Sequence, residues 1–366
     1  MKQEENPLHL IVVGTRPEII KMAPVVKAFQ RLRIPFILVY TAQHYDYNLS
    51  QQFIEELQLP KPDYNLKIGS ATHAEQTAKA MVAVEKTIMK EKPEIVLVEG
   101  DTNTTLAAAL ASIKLHTPIG HVESGLRSYD LRMPEEHNRR IVDHMSTYLF
   151  APTKKAAQVL REENVWGKIF ITGNTVIDAC IQYVPIAERR STIMNKVKHR
   201  DFALITAHRA ENVDDPESLE KMVEVILSLP IPSVFPIHPR TKNRLIRINL
   251  WRKLSSSENT QTLPPVGYLD FLLLMKESAI ILTDSGGIQE EATSPNIRKQ
   301  VLVLRKSTER PEAVEAGFAK VVGLDPKNVL QEVEEALKRK KDLPKRSPFG
   351  DGNAGERIAE IVREAT

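Results

Sequence analysis

The residues able to do chemistry stand at the ends of short apolar runs. Asp101 in EGDTNTT, Glu123 in HVESGLRS and Glu135 in MPEEHNRR, with Glu136 beside it, are carboxylates. Arg16 and Lys21 in GTRPEIIK, Gln43-His44 after LVYTA, and Arg139 supply cations and polar partners at equivalent run ends. Several carboxylates beside two or three cations is the charge pattern of acid–base chemistry next to an anionic leaving group, because a partly buried charge requires a partner. A structural ion-pair network has the same composition and is the competing reading of any one carboxylate. The first run also raises a question of its own. After Gly14, where a dinucleotide-binding loop would supply more glycines, the chain places Arg16, Pro17 and Glu18.

A second group lies further along. In LTDSGGIQEEA, a strand is expected to end at Asp284, Ser285-Gly286-Gly287 to form a turn, and a helix to follow. Small residues there let backbone N–H groups approach a diphosphate, the helix dipole adds favourable potential, and Glu291 could accept from ribose hydroxyls. A plain capped turn is the alternative. Arg310, immediately before Pro311, suits a further phosphate contact. His208 in LITAHRAEN ends another run and suits a cation or general acid beside phosphate. For His238 in PIHPR the same role and a tight turn before Pro239 account equally well. GDGNAG, residues 350–355, fits a dinucleotide fingerprint in letters only: it follows a polar stretch instead of a strand, so it reads as a turn into a terminal amphipathic helix.

These groups need elements to carry them. Val- and Ile-rich runs alternate with amphipathic stretches, the appearance of repeated βα units around parallel sheets. Strands are expected at LHLIVVG, PFILVYT, EIVLVEG, PIGHVES, YLFAPT and IFITG, then at FALITAH, SVFPIH, AIILTDS, QVLVLR and AKVVGL. The rhythm weakens near residues 175–200, so the expectation is an α/β protein with two Rossmann-like domains, 1–175 carrying the acid–base residues and 176–350 the anion-binding turn, followed by residues 351–366. Ligands of such sheets sit beyond the carboxyl ends of the strands, so motifs at the strand ends are expected to carry the function.

Composition removes other classes. Net charge is +3 and aromatics are 5% of the chain, which disfavours a nucleic-acid partner. No apolar run is long enough for a membrane span, and the start lacks a signal-peptide core, so a cytoplasmic protein without membrane association is expected. The single Cys180 rules out an internal disulfide and a cysteine-cluster metal site, and HRAE has no metal-ligand spacing, so no metal is expected.

GTRPEIIK, GDTNTT, HVESGLRS, MPEEHNR, ITAHRAEN, DSGGIQEE and STERPEA resemble, in order and spacing, motifs of the non-hydrolysing UDP-N-acetylglucosamine 2-epimerases over nearly the whole chain. The resemblance implies a GT-B fold, two Rossmann-like domains facing each other across a cleft, with the terminal helix crossing back to the first. It also implies a homodimer, a UDP-sugar substrate, no cofactor and a place in polysaccharide biosynthesis. The implied reaction interconverts UDP-GlcNAc and UDP-ManNAc by eliminating UDP to 2-acetamidoglucal and adding it back. By motif position Asp101, Glu123 and Glu135 become acid–base candidates and His208 assists UDP departure. Arg16, Lys21, Gln43, His44, Arg139, His238 and Arg310 fall among substrate contacts, Phe271 near uracil, Ser285, Gly286 and Gly287 at the diphosphate, and Glu291 at ribose. Arg16 and Lys21 are thus expected to project toward a diphosphate held mainly by the second domain. Ala210 stands where many bacterial members carry arginine, close to where some of them bind a second UDP-GlcNAc as activator, so the resemblance leaves activation by UDP-GlcNAc open. A hydrolysing 2-epimerase releasing UDP and ManNAc, a UDP-sugar glycosyltransferase and a sugar-nucleotide sensor are the alternatives.

Overall fold

The computed structural model describes residues 7–42, 53–339 and 343–366. The chain divides into two compact units, Met1–Ala179 with Phe349–Thr366, and Cys180–Pro348. Among the described residues, the first unit holds strands β1 (His9–Val13), β2 (Phe36–Tyr40), β3 (Tyr64–Asn65), β4 (Ile95–Glu99), β5 (Ile119–Val122), β6 (Tyr148–Ala151) and β7 (Lys168–Ile171). They form one sheet in the order β3-β2-β1-β4-β5-β6-β7, every pairing parallel. The second unit holds β8 (Ala203–Thr206), β9 (Ser233–Pro236), β10 (Thr260–Leu263), β11 (Ile280–Thr283), β12 (Val301–Val303) and β13 (Ala319–Val321), again parallel and ordered β10-β9-β8-β11-β12-β13.

The central strands are almost wholly apolar because helices cover both faces of each sheet. Every residue of β1, β4, β8 and β11 is buried. Leu10, Val12, Val96 and Val98 pack on Ala108, Ala109 and Ala111 of the helix Asn103–Lys114, whose small residues let it lie close to the sheet. In the second unit Ile205, Phe235, Leu282 and Leu302 pack with Met222, Val223 and Ile226 of the helix Pro216–Leu227.

In each unit the winding reverses beside the first strand, between β1 and β4 and between β8 and β11. That switch point is where open α/β sheets place ligands. The doubly wound, Rossmann-like layout expected from the alternating pattern is therefore present in both units. Strands β3 and β10, which no apolar run announces, extend each sheet at the same edge.

The terminal helix Ala354–Ala365 belongs to the first unit. It crosses the helix Arg16–Leu32 at a contact that needs glycine: a Cβ on Gly355 would lie 2.7 Å from the Pro24 carbonyl carbon. Gly355 N–H donates to Asp178 Oδ1 at 2.8 Å, and Arg31 pairs with Glu356. The GDGNAG stretch is the turn that delivers the chain there, with the Phe349 carbonyl accepting from Asn174 N–H at 2.7 Å.

Candidate active site

In the first unit the site begins at Gly14, directly after β1. A Cβ there would fall 2.1 Å from Thr104 Oγ1 and 2.5 Å from Thr41 Oγ1, and those two hydroxyls bond each other at 2.7 Å. The close approach leaves only glycine. The helix Arg16–Leu32 follows at once, with proline in its first turn, where a missing N–H costs nothing. Glu18 turns inward and is 1% exposed. Lys21, three residues on, lies on the same helix face.

Lys21 lies between two carboxylates. Its Nζ is 2.5 Å from Glu123 Oε2 and 3.2 Å from Glu99 Oε1. Glu99 is the last residue of β4 and is fully buried; burial drives its pKa well above the usual carboxylate range, with the Lys21 charge opposing and the Glu123, Glu18 and Asp101 charges adding. Glu123 follows β5 in the left-handed region, φ 67°, a costly conformation for a glutamate and one found where a side chain must be aimed. Asn174 Nδ2 donates to Glu123 Oε2 at 3.1 Å. The Lys21 ammonium is thus held between the two carboxylates, and its charge favours the ionised form of Glu99.

Asp101 lies one turn away, after β4. Arg139 reaches its Oδ2 with Nε at 2.8 Å and Nη2 at 2.7 Å, and Asn138 Nδ2 donates to its main-chain carbonyl at 2.8 Å. Both partners project from the helix Pro134–Met145, whose first turn also presents Glu135. Asp101, Glu135, Asn138, Asn103, Gln76 and His73 line one cavity of about 230 Å³. Glu136 departs from the carboxylate group sketched above. It is buried, accepts from Ser128 N–H at 2.7 Å and from the Ser128 hydroxyl at 2.9 Å, and braces the loop before its helix. Arg16 is exposed, its guanidinium 4.8 Å from the Phe53 ring centroid. Gln43 and His44 lie outside the described residues.

Sequence reading missed the layer beneath. His121, on β5, bonds Asp143 Oδ1 at 2.7 Å and the Gly100 carbonyl at 2.8 Å. Arg127 joins the same Asp143 at 2.7 Å. Gly100 directly precedes Asp101 and has φ 71°, so this network holds a main-chain conformation that only glycine takes easily.

In the second unit Asp284 follows β11 and is fully buried. It accepts from the main-chain N–H groups of His208 and Arg209, each at 3.0 Å, and from Asn212 Nδ2 at 3.2 Å. The helix Gly286–Glu291 starts next, with Ser285 at its N-cap making no side-chain cap. Its first N–H groups have no acceptor inside the helix, the arrangement that suits an anion. Arg310 lies against this turn, its Cζ 3.6 Å from where a Gly286 Cβ would stand. The guanidinium is buried and paired with Glu290 and, at 3.7 Å, with Glu309, so its position is fixed by protein carboxylates.

The His208 ring is partly exposed, with Nδ1 3.6 Å from Asp284 Oδ1 and its centroid 5.7 Å from that of His238. Burial lowers the His208 pKa, with Asp284 opposing and Arg209 adding, which favours the neutral ring. His238 is also lowered by burial, and its Nδ1 accepts from Arg240 N–H at 3.2 Å as the N-cap of the helix Pro239–Arg247. Phe271 sits half-buried in the helix Tyr268–Glu277. Glu291 is buried beside the Tyr268 hydroxyl.

One unit thus gathers carboxylates with paired cations, the other an uncapped helix start flanked by arginine and histidine. Together with the two parallel sheets, this defines a two-domain α/β protein of the GT-B class. The family model described as UDP-N-acetylglucosamine 2-epimerase matches residues 27–363, and the chain belongs to that family. A UDP-N-acetylglucosamine 2-epimerase of Methanocaldococcus jannaschii is 47% identical over 361 residues, covering 96% of this chain and 98% of the relative. The crystal structure of the Methanocaldococcus jannaschii enzyme in complex with UDP-GlcNAc and UDP matches with a TM-score of 0.89, covering 98% of this chain and 99% of that one, at 46% identity. A UDP-2,3-diacetamido-2,3-dideoxy-D-glucuronate 2-epimerase of Pseudomonas aeruginosa is 40% identical, covering 96% and 98% of the two chains.

Proposed function

We propose that this protein reversibly epimerises C2 of UDP-N-acetylglucosamine to give UDP-N-acetylmannosamine, without net hydrolysis. The observation that carries this reading is the gathering of Asp101, Glu123 and Glu135 with Arg139 and Lys21 in one unit. A base takes the C2 proton, the C1–O bond breaks with its electron pair leaving on UDP, and 2-acetamidoglucal remains. UDP then adds back to C1 as an acid returns a proton to the opposite face of C2. A weakly acidic C–H needs both a placed base and a stabilised leaving group.

In this reading Asp101, Glu123 and Glu135 share the proton transfers, Arg139 pairs with Asp101 and Lys21 with Glu123, and His208 assists UDP departure. Ser285, Gly286 and Gly287 hold the diphosphate, Arg310 frames that turn, Phe271 contacts uracil and Glu291 the ribose. Arg16, Gln43, His44 and His238 complete the substrate contacts. The reading includes a homodimer in the cytoplasm that supplies a polysaccharide precursor and needs no cofactor. The test is product identity. Incubation with UDP-GlcNAc and anion-exchange chromatography should yield UDP-ManNAc with no accumulation of free UDP. UDP with free ManNAc would support the hydrolysing alternative. Because a 40% identical relative bears the name of a diacetamido-glucuronate epimerase, that UDP-sugar belongs in the same assay.

A further inference from the structure

In Rossmann-like units the turn after the first strand is where backbone N–H groups meet a nucleotide diphosphate. Here those groups belong to Gly14 and Thr15, and both donate to Glu18 Oε2, at 2.9 and 2.5 Å. The other oxygen serves the neighbouring strand end: the Thr102 hydroxyl donates to Oε1 at 2.7 Å, and Thr105 Oγ1 lies 3.1 Å from it. One buried carboxylate therefore joins the turn after β1 to the turn after β4 across the switch point, and Thr102 directly follows Asp101.

The second unit reaches the same result from the opposite side. Asp284, after β11, takes the N–H groups of His208 and Arg209 in the turn after β8. In the second unit the hydroxyls of Thr206 and Thr283 also bond across β8 and β11 at 2.6 Å, whereas in the first unit Thr41, after β2, bonds Thr104 of the helix after β4 at 2.7 Å. The first-strand turn is filled by a protein carboxylate in each.

We propose that Glu18 is an internal substitute for a bound phosphate: it closes the switch point of the first unit to nucleotide phosphate and, as a positioning residue, holds the Asp101 turn for proton transfer. This answers the charged turn after β1. The donors a dinucleotide loop would offer to ligand are present, and the chain supplies its own anion. The kinetic part rests on the epimerase reading; the anion part does not.

The test uses the full chain with Glu18→Ala and Glu18→Asp, and formate as the probe. Alanine leaves the Gly14, Thr15 and Thr102 donors facing a carboxylate-sized gap. Formate at ~100 mM should raise the melting temperature of Glu18→Ala by several degrees beyond equal chloride and leave the wild type unmoved. In epimerisation, kcat of Glu18→Ala should fall ~100-fold with KM nearly unchanged, and formate should restore at least ~10-fold. Aspartate withdraws the carboxylate by about 1.5 Å, so it cannot span both turns, and kcat should fall with KM retained. A folded Glu18→Ala indifferent to formate in melting overturns the proposal, as does a wild-type kcat in either variant. If Glu18→Ala does not fold, the kcat of Glu18→Asp decides. If the wild type epimerises nothing, the formate shift still stands or fails by itself.

Discussion

The turns beside the two switch points differ in one respect. In the first unit both are satisfied internally: Glu18 takes the N–H groups after β1, and the Thr102 hydroxyl caps the helix Asn103–Lys114 by accepting from Thr105 N–H at 3.2 Å. In the second unit Asp284 fills the turn after β8, yet the helix after β11 starts at Gly286 with no side-chain cap. The same sheet topology thus yields one unit whose strand ends present side-chain charge and one that presents backbone donors. Acid–base work suits the first, because side chains can exchange protons and amides cannot; anion binding suits the second.

The largest effect should follow from removing a carboxylate of the first unit. Asp101→Asn is expected to lower kcat by ~10²–10⁴-fold, the usual span of a general acid–base contribution, while UDP affinity measured by calorimetry stays near wild type. A parallel loss of UDP affinity would blur the division between the units.

A second buried carboxylate sharpens the contrast on stability. Burial raises the Asp178 pKa from 3.8 to about 6, with the Gly355 N–H opposing. Below about pH 4 the group is neutral in both folded and unfolded chains. Between about 4 and 6 the unfolded chain releases its proton first, and above about 6 the folded chain carries a buried charge, so stability falls as pH rises through that window. The difference is worth up to roughly 3 kcal/mol. Asp178→Asn keeps an oxygen for Gly355 and should match the wild type at pH 4, then gain on it up to pH 8 in denaturant melts. An advantage independent of pH would contradict this account.

Two glycine substitutions separate packing from binding. Gly14→Ala places a Cβ against two threonine hydroxyls and should cost about 1–3 kcal/mol, read as a fall in melting temperature. Gly286→Ala meets nothing closer than the Arg310 guanidinium at 3.6 Å, so the fold should hold. If the proposed diphosphate site is right, the methyl would instead stand in the ligand's path, and UDP binding should weaken by about tenfold, the worth of one blunted charge-assisted hydrogen bond. Equal melting losses in both would remove the distinction.

Most of the sheet framework is readable in the sequence because a parallel strand buried on both faces is a run of Val, Ile and Leu, as in LHLIVV and AIILT. Strand β10, TQTL, escaped because an edge strand has one neighbour and needs no such run. The site divides the same way. Asp101, Glu135, Ser285 and Gly286 are visible as polar or small residues where apolar runs stop. Glu99, His121, Asn174 and Glu290 were missed, and Glu18 was noted without its role, because a buried polar residue is defined by its partner. Thr102 lies 84 residues from Glu18, Glu123 lies 51 from Asn174, and no local pattern records either pairing. Lys21 was visible, but not its pairing with two carboxylates, since these come from different strand ends.

The most direct test of the central claim is proton NMR of UDP-GlcNAc incubated with the protein in deuterium oxide, without added metal or nicotinamide. The account predicts that UDP-ManNAc appears and that the C2 proton signal is lost from both sugars as deuterium enters. Conversion with the C2 proton retained, or release of UDP and ManNAc with no deuterium in the remaining UDP-GlcNAc, would contradict it.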